Sequence, residues 1–109
     1  MENTKIRMDY LDAYHLGGGY YSKVILYQIL NIQNGKRWVS ETFDLDVTKY
    51  GQFYMLKKGI HPSKELIEDY IIYGEDVFVF SILEIVTDIK NVKSRFEFYI
   101  NTFKPEYNF

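Results

Sequence analysis

The chain opens its regular patterning at Lys23 to Asn31, a stretch rich in Val, Ile, Leu and Tyr, and the run Val24 to Asn31 predicts a β-strand. Asn34-Gly35 follows, a dipeptide that tolerates the positive φ angles of a tight hairpin, so Arg37 to Glu41 is predicted as the partner strand. From Asp46 to Lys58 the period changes: Val47, Tyr50, Phe53 or Tyr54, and Leu56 fall near 3.6 residues apart, which predicts a helix. Lys57 and Lys58 sit in its last turn and Gly59 is placed to cap it. Ser63 is placed to cap a second helix whose stripe is Leu66, Ile67, Tyr70 and Ile71, ending at Gly74. Asp76 to Val86 contains Val77-Phe78-Val79-Phe80-Ser81-Ile82-Leu83, long and apolar enough for a central strand. Thr87 or Asp88 then starts a last helix whose inward stripe is Val92, Phe96, Tyr99, Ile100 and Phe103, with Pro105 after its end.

Residues 1–22 form a separate arm or extra element. Ile6, Tyr10, Leu11 and Tyr14 fit one face of a short helix that Gly17 to Gly19 would break before Tyr20-Tyr21. Alternation at Ile6, Met8 and Tyr10 fits an extra edge strand equally well. Gly17-Gly18-Gly19 lacks the Lys-Ser/Thr that completes a phosphate-binding loop, and reads as a hinge.

Composition narrows the class. With 109 residues, 47% hydrophobic and 18% aromatic, the chain can bury one compact core, so one main domain is expected over residues 23–109. No apolar run approaches the roughly 20 residues of a membrane span, and Met1 to Tyr20 lacks the pattern of a secretory signal, so a soluble, cytoplasmic protein is expected. Cysteine is absent, which removes disulfides and thiolate chemistry together.

The formal charge of -2 conceals two blocks. Lys36 to Lys64 carries six basic residues against three acids, whereas Glu65 to Asp88 carries seven acids and no base. Tight autonomous DNA binding usually needs a stronger basic stripe than this. Eleven tyrosines and eight phenylalanines exceed what so small a core must hide, and exposed aromatics make efficient protein-interface anchors. The acidic block, including Glu65, Glu68, Asp69, Glu75 and Asp76, suits a protein partner, such as one with a basic nucleic-acid-binding surface.

Ile25-Leu26-Tyr27 and Trp38-Val39-Ser40 flank the turn at the spacing of the two motifs of the GIY-YIG endonucleases, and the chain resembles that family. Further local matches follow in order: Gly59 with His61 before Leu66, Tyr73-Gly74-Glu75, Ser81-Ile82-Leu83-Glu84, and Tyr99-Ile100 leading to Lys104-Pro105-Glu106-Tyr107-Asn108. The resemblance implies an α/β (α+β) domain, a three-stranded, mainly antiparallel sheet flanked by about three helices, with the N-terminal segment as an extension.

For chemistry, the resemblance implies a tyrosine that helps generate the attacking water, a second tyrosine and a helix arginine serving the scissile phosphate, and a helix glutamate holding a divalent metal. Tyr27 stands at the first tyrosine, Trp38 at the second, Ile25 and Ser40 at the glycines of the two motifs, and Thr48 at the arginine, with Lys49 beside it. Gln52 stands at a histidine often found one turn later, and His61 matches a histidine of some members. Phe96 stands at the glutamate with Glu97 one residue late, and a phenylalanine cannot coordinate Mg²⁺, which needs oxygen ligands. Tyr27 and His61 are therefore vestigial candidates, each with a plainer reading: a strand tyrosine at a core edge and a polar helix-entry histidine before Pro62. No second histidine has metal-ligand spacing, since His15 lies in the separate arm.

These substitutions give the expectation of a protein without catalytic activity, metal or cofactor. It would act by protein–protein contact, as a virus- or mobile-element-encoded regulator or inhibitor of a nucleic-acid-processing or host-defence system of anti-CRISPR or anti-restriction type. Two alternatives stay open. One is a non-catalytic nucleic-acid binder using Lys36, Arg37, Lys57 and Lys58, weak and steeply salt-dependent. The other is a divergent metal-dependent endonuclease in which Lys49 and Glu97 take over the altered positions.

Overall fold

The computed structural model describes residues 23–109; the N-terminal segment, with the helix or edge strand expected there and His15, lies outside the described residues. Strand β1 (Val24–Asn31) is central in a three-stranded sheet, with β2 (Arg37–Thr42) on one side and β3 (Phe78–Val86) on the other, both antiparallel. Helix α1 (Leu45–Lys58) and helix α2 (Lys64–Tyr73) lie between β2 and β3 in sequence, and α3 (Val92–Phe103) follows β3. This is the α+β arrangement expected from the sequence.

A central strand is flanked on both sides and can be covered on both faces, which is why Val24-Ile25-Leu26-Tyr27 reads as an unbroken apolar run. Successive side chains point to opposite faces. Tyr27 and Ile29 meet Leu56, Leu66, Phe78 and Tyr107 on one face, while Val24 and Leu26 meet Val86 and the Val92, Phe96 and Tyr99 side chains of α3 on the other. The pairing of β1 with β3 slips beside the phenol: Leu26 opposes Glu84 but Tyr27 opposes Ile82, leaving Leu83 as a bulge.

Element ends depart from the expected ones for local reasons. The hairpin closes at Asn31 and Lys36, where Asn31 N–H donates to the Lys36 carbonyl at 2.9 Å, so its loop has four residues. Only Gly35 there has positive φ, +79°, and Asn34 instead accepts from Lys36 N–H through its side chain. Asp44 caps α1 by accepting from Val47 N–H, and Ser63 caps α2 by accepting from Leu66 N–H. The segment expected to begin the last helix is a short 3₁₀ turn, Ile89–Asn91, because Asp88 bonds Lys90 N–H. A similar turn, Glu75–Val77, delays β3, which is an edge strand and not the central one its apolar run suggests, since both β2 and β3 pair with β1.

The α1 stripe also differs from its periodic reading. Leu56 is buried and Phe53 packs on the core, but Val47 and Tyr50 are 65% and 74% exposed. In α2 Leu66 is buried while Ile71 faces solvent. Both helices lean on the sheet along only part of the apolar arc that their sequences offer.

The chain end locks these pieces together. Asn108 accepts from Val39 N–H and donates to the Val39 carbonyl, both at 2.8 Å, occupying the outer edge of β2 as a strand would. Tyr107 is buried, receives the Asn31 amide at 3.1 Å and donates its hydroxyl to Asp69 at 2.7 Å, which joins β1, α2 and the C-terminus. Asn31, fully buried, also accepts from Gln33 N–H. Its polar atoms are thus paired rather than stranded. Among the described residues no helix is long and apolar enough to cross a membrane.

Replacing Asn108 by Ala leaves two strand-edge groups without their partner, and the expected loss is about 1–3 kcal/mol, measured as a lower urea midpoint with unchanged slope.

Candidate functional site

Cross-strand register brings the first residues of the site together. Tyr27 and Ser40 are Cα partners in the β1–β2 ladder, and their side chains share a face. Tyr27 is almost wholly buried, and burial raises its pKa, with the nearby Trp38 and Ser40 side chains acting weakly the other way. The phenol is therefore neutral at neutral pH. Trp38 Nε1 lies near enough to favour phenolate, yet it is shielded from solvent and outside good hydrogen-bond geometry with any group. This N–H is an unused donor beside Tyr27.

Behind the indole stands His61, its ring edge-on to Trp38 at 4.8 Å and 79°. His61 Nδ1 accepts from Ser63 N–H at 3.0 Å, so in the neutral ring Nε2 carries the proton and donates to Gln52 Oε1 at 2.6 Å. Burial lowers the His61 pKa to about 4, and the occupied Nδ1 lone pair agrees with that direction. His61 thus joins α1 to the entry of α2 and holds the Trp38 ring. Gln52, noted in the sequence only as a substitution, is its partner; a polar residue one α1 turn beyond Thr48 was the available signal.

Other predicted site residues are not brought in. Thr48 shares a 2.6 Å hydrogen bond with Thr42, whose hydroxyl also accepts from Asp44 N–H, so it belongs to the cap of α1. Phe96 packs with Leu26, on the sheet face opposite Tyr27. Glu97 is exposed on α3. The divalent metal that the resemblance implies does not fit this residue set: the equivalent position supplies a ring packed on aliphatic side chains. Among the described residues no group of three or more His, Cys, Asp or Glu side chains converges.

On the Tyr27 side, Phe80 stacks on the phenol at 4.7 Å and 20°. The same ring lines a hollow of about 810 Å³ between α1 and the start of β3, whose α1 wall includes Lys49, Tyr50, Phe53 and Lys57. Lys49 therefore reaches this hollow, and Thr48 does not line it. Glu75 and Asp76 form its acidic side. Lys57 pairs with Glu75 at 3.6 Å, and Tyr70 donates to the same carboxylate at 2.6 Å. That donor bond and Lys57 hold Glu75 below the usual carboxylate range, while burial and Glu75 push Tyr70 up to about 12.

The four basic residues of the nucleic-acid alternative do not form one patch. Arg37 bonds Gln28 and covers the Phe103 ring at 4.0 Å, on the α3 side, while Lys36 pairs with Glu65 at 2.6 Å. Of the acids expected to meet a protein, Glu65, Asp69 and Glu75 have internal partners, whereas no such pairing was legible in the sequence. An Arg95 fork on Glu84, reinforced by the Tyr99 hydroxyl at 2.8 Å, was also missed and pins α3 to β3.

No protein-family model matches the chain, and no curated protein does. Solved structures do. The catalytic domain of the homing endonuclease I-TevI is 31% identical, with a TM-score of 0.68 over 76% of this chain and 90% of that domain. A mutant of that intron endonuclease's catalytic domain is 31% identical, with a TM-score of 0.67 over 75% of this chain and 84% of the other. These matches overturn the expectation of a protein without enzymatic activity, because the domains that share this fold, at 31% identity over about three quarters of the chain, are catalytic domains. The altered positions lie within a scaffold whose likeness covers 90% of that domain. A regulatory role and a viral or mobile-element source form no part of what the matches carry.

His61 gives a pH signature. Its folded pKa lies below the unfolded value of about 6.5, so the unfolded chain binds the proton first and stability falls as pH drops from about 6.5 toward 4. Between pH 7 and pH 5 the difference in unfolding free energy between wild type and His61→Gln should change by about 2 kcal/mol, read from urea melts at both pH values.

Proposed function

The chain belongs to the GIY-YIG endonuclease family, and from that membership we propose that it is a nuclease that cleaves phosphodiester bonds of nucleic acid on the Tyr27 side of its sheet. The observation that carries this reading is the likeness to a nuclease catalytic domain, 31% in sequence and 0.68 in TM-score across 90% of that domain. Tyr27, Ser40 and Trp38 supply a phenol, a hydroxyl and an indole N–H on neighbouring strands, and Lys49 supplies a cation in the adjoining hollow.

Each has a defined use. The neutral phenol orients an attacking water and takes its proton as it releases its own to the solvent admitted with the substrate, the work of a general acid–base group. The Trp38 N–H, having no other partner, is free to donate to charge developing on a phosphoryl oxygen. Lys49 attracts the phosphate, a point charge where the family implies a planar guanidinium, so it steers without the two-pronged grip. The His61–Gln52 pair keeps Trp38 in place. Because Tyr27 is 1% exposed, substrate reaches it only when the side chains above it shift, and Phe80 is the stacked ring on the hollow side.

The test is cleavage of labelled single-stranded and duplex DNA by purified protein, with Mg²⁺, with Mn²⁺ and with neither. Cleavage is expected to fall about 100-fold or more in Tyr27→Phe. A preparation that cleaves neither substrate, or in which Tyr27→Phe cleaves as fast as wild type, overturns the reading.

A further inference from the structure

Two tyrosines that α1 presents to the hollow have no role in the reading above. Tyr50 and Tyr54, one helical turn apart, are 74% and 45% exposed. Their rings are nearly parallel, at 22° with centroids 6.2 Å apart, and Lys58 Nζ stands 5.8 Å over the Tyr54 ring. Within Leu45–Lys58 three lysines, Lys49, Lys57 and Lys58, face one aspartate, Asp46. An exposed aromatic pair with cations along its border is the arrangement that stacks bases and follows a backbone.

We propose that Tyr50 and Tyr54 form a stacking platform for unpaired bases, and that the strand bound beside Tyr27 is single-stranded DNA. This deepens the nuclease reading and rests on it for the choice of ligand. Both tyrosines line the hollow that Phe80 also lines, and Phe80 is stacked on Tyr27, so a base on the platform lies in the same hollow as the ring that covers the phenol. The opposite wall sets the strandedness. Glu75 is compensated by Lys57 and Tyr70, but with Asp76 it still makes that side acidic, so the phosphates of one strand run along the lysine border of α1 with bases turned inward. A second strand would bring its phosphates against the carboxylates, and paired bases would offer no free face to the tyrosines.

The experiment is fluorescence anisotropy of labelled oligothymidylate, single-stranded or annealed to oligoadenylate, with the full chain. The single strand is expected to bind more tightly than the duplex. Tyr50→Ala and Tyr54→Ala should each weaken single-strand binding about 5- to 150-fold, while Tyr50→Phe and Tyr54→Phe keep it within about 3-fold, since the ring and not the hydroxyl stacks. Both positions are exposed, and thermal melts confirm that the variants fold. Equal affinity for duplex, or alanine variants that bind like wild type, overturns the proposal; if Tyr27-dependent cleavage persists in that case, the nuclease reading stands without it. If no DNA is cleaved yet the alanine variants lose single-strand binding, the platform stands and the nuclease reading falls.

Discussion

Everything in this domain is arranged around the need to bury β1 on both faces. Alternation sends Tyr27 and Ile29 one way and Val24 and Leu26 the other, and each set needs its own cover. Helices α1 and α2 with the C-terminal turn cover the first; α3 covers the second. The chemistry-bearing side chains of β1 and β2 are thereby confined to one side. The slip at Leu83 lies beside Tyr27, where β1 changes from pairing with Glu84 to pairing with Ile82. A bulge there bends β3 locally and places Phe80 against the phenol without breaking the ladder.

The polar groups enclosed by this packing are nearly all answered. Asn31, Tyr107 and Asp69 form one chain of hydrogen bonds, Asn108 serves the β2 edge, and His61 serves Gln52 and Ser63. Desolvation and the Asp69 carboxylate raise the Tyr107 pKa, so its hydroxyl remains a donor throughout the ordinary pH range. Against that background the unpartnered Trp38 Nε1 stands out. A buried donor without an acceptor costs free energy in the resting protein. A ligand oxygen brought beside Tyr27 would remove that cost, which links the packing of the site to its proposed use.

Electrostatics divides the molecule along the hollow. Helix α1 is basic, and α2 with the turn after it is acidic. The ion pair between Lys57 and Glu75 crosses that divide but is largely solvent-exposed, so it contributes little to stability. The more enclosed Arg95 fork on Glu84 fixes α3 against β3 and holds Glu84 below the usual carboxylate range. Phe96 is on this helix, so the residue at the implied metal position is part of the packing that seats α3.

The sequence by itself determined the element order, the Ser63 cap, the Gly59 stop and the motif positions around the hairpin, because these depend on local periodicity and capping chemistry, whereas the Asp44 cap and the central place of β1 rather than β3 came only with the structure. It also placed Tyr27, Trp38, Ser40, Gln52 and His61 at family positions. The tertiary structure decided what those positions touch. That Thr48 turns to Thr42, that Gln52 finds His61, and that the Trp38 N–H is left without an acceptor depend on which side chains meet across elements. Likewise α1 carries more apolar residues than one face of the sheet can cover, and only packing decided that Leu56 goes in while Tyr50 and Tyr54 stay out. Periodicity records which residues share a helix face; burial depends on how much of that face another element can reach.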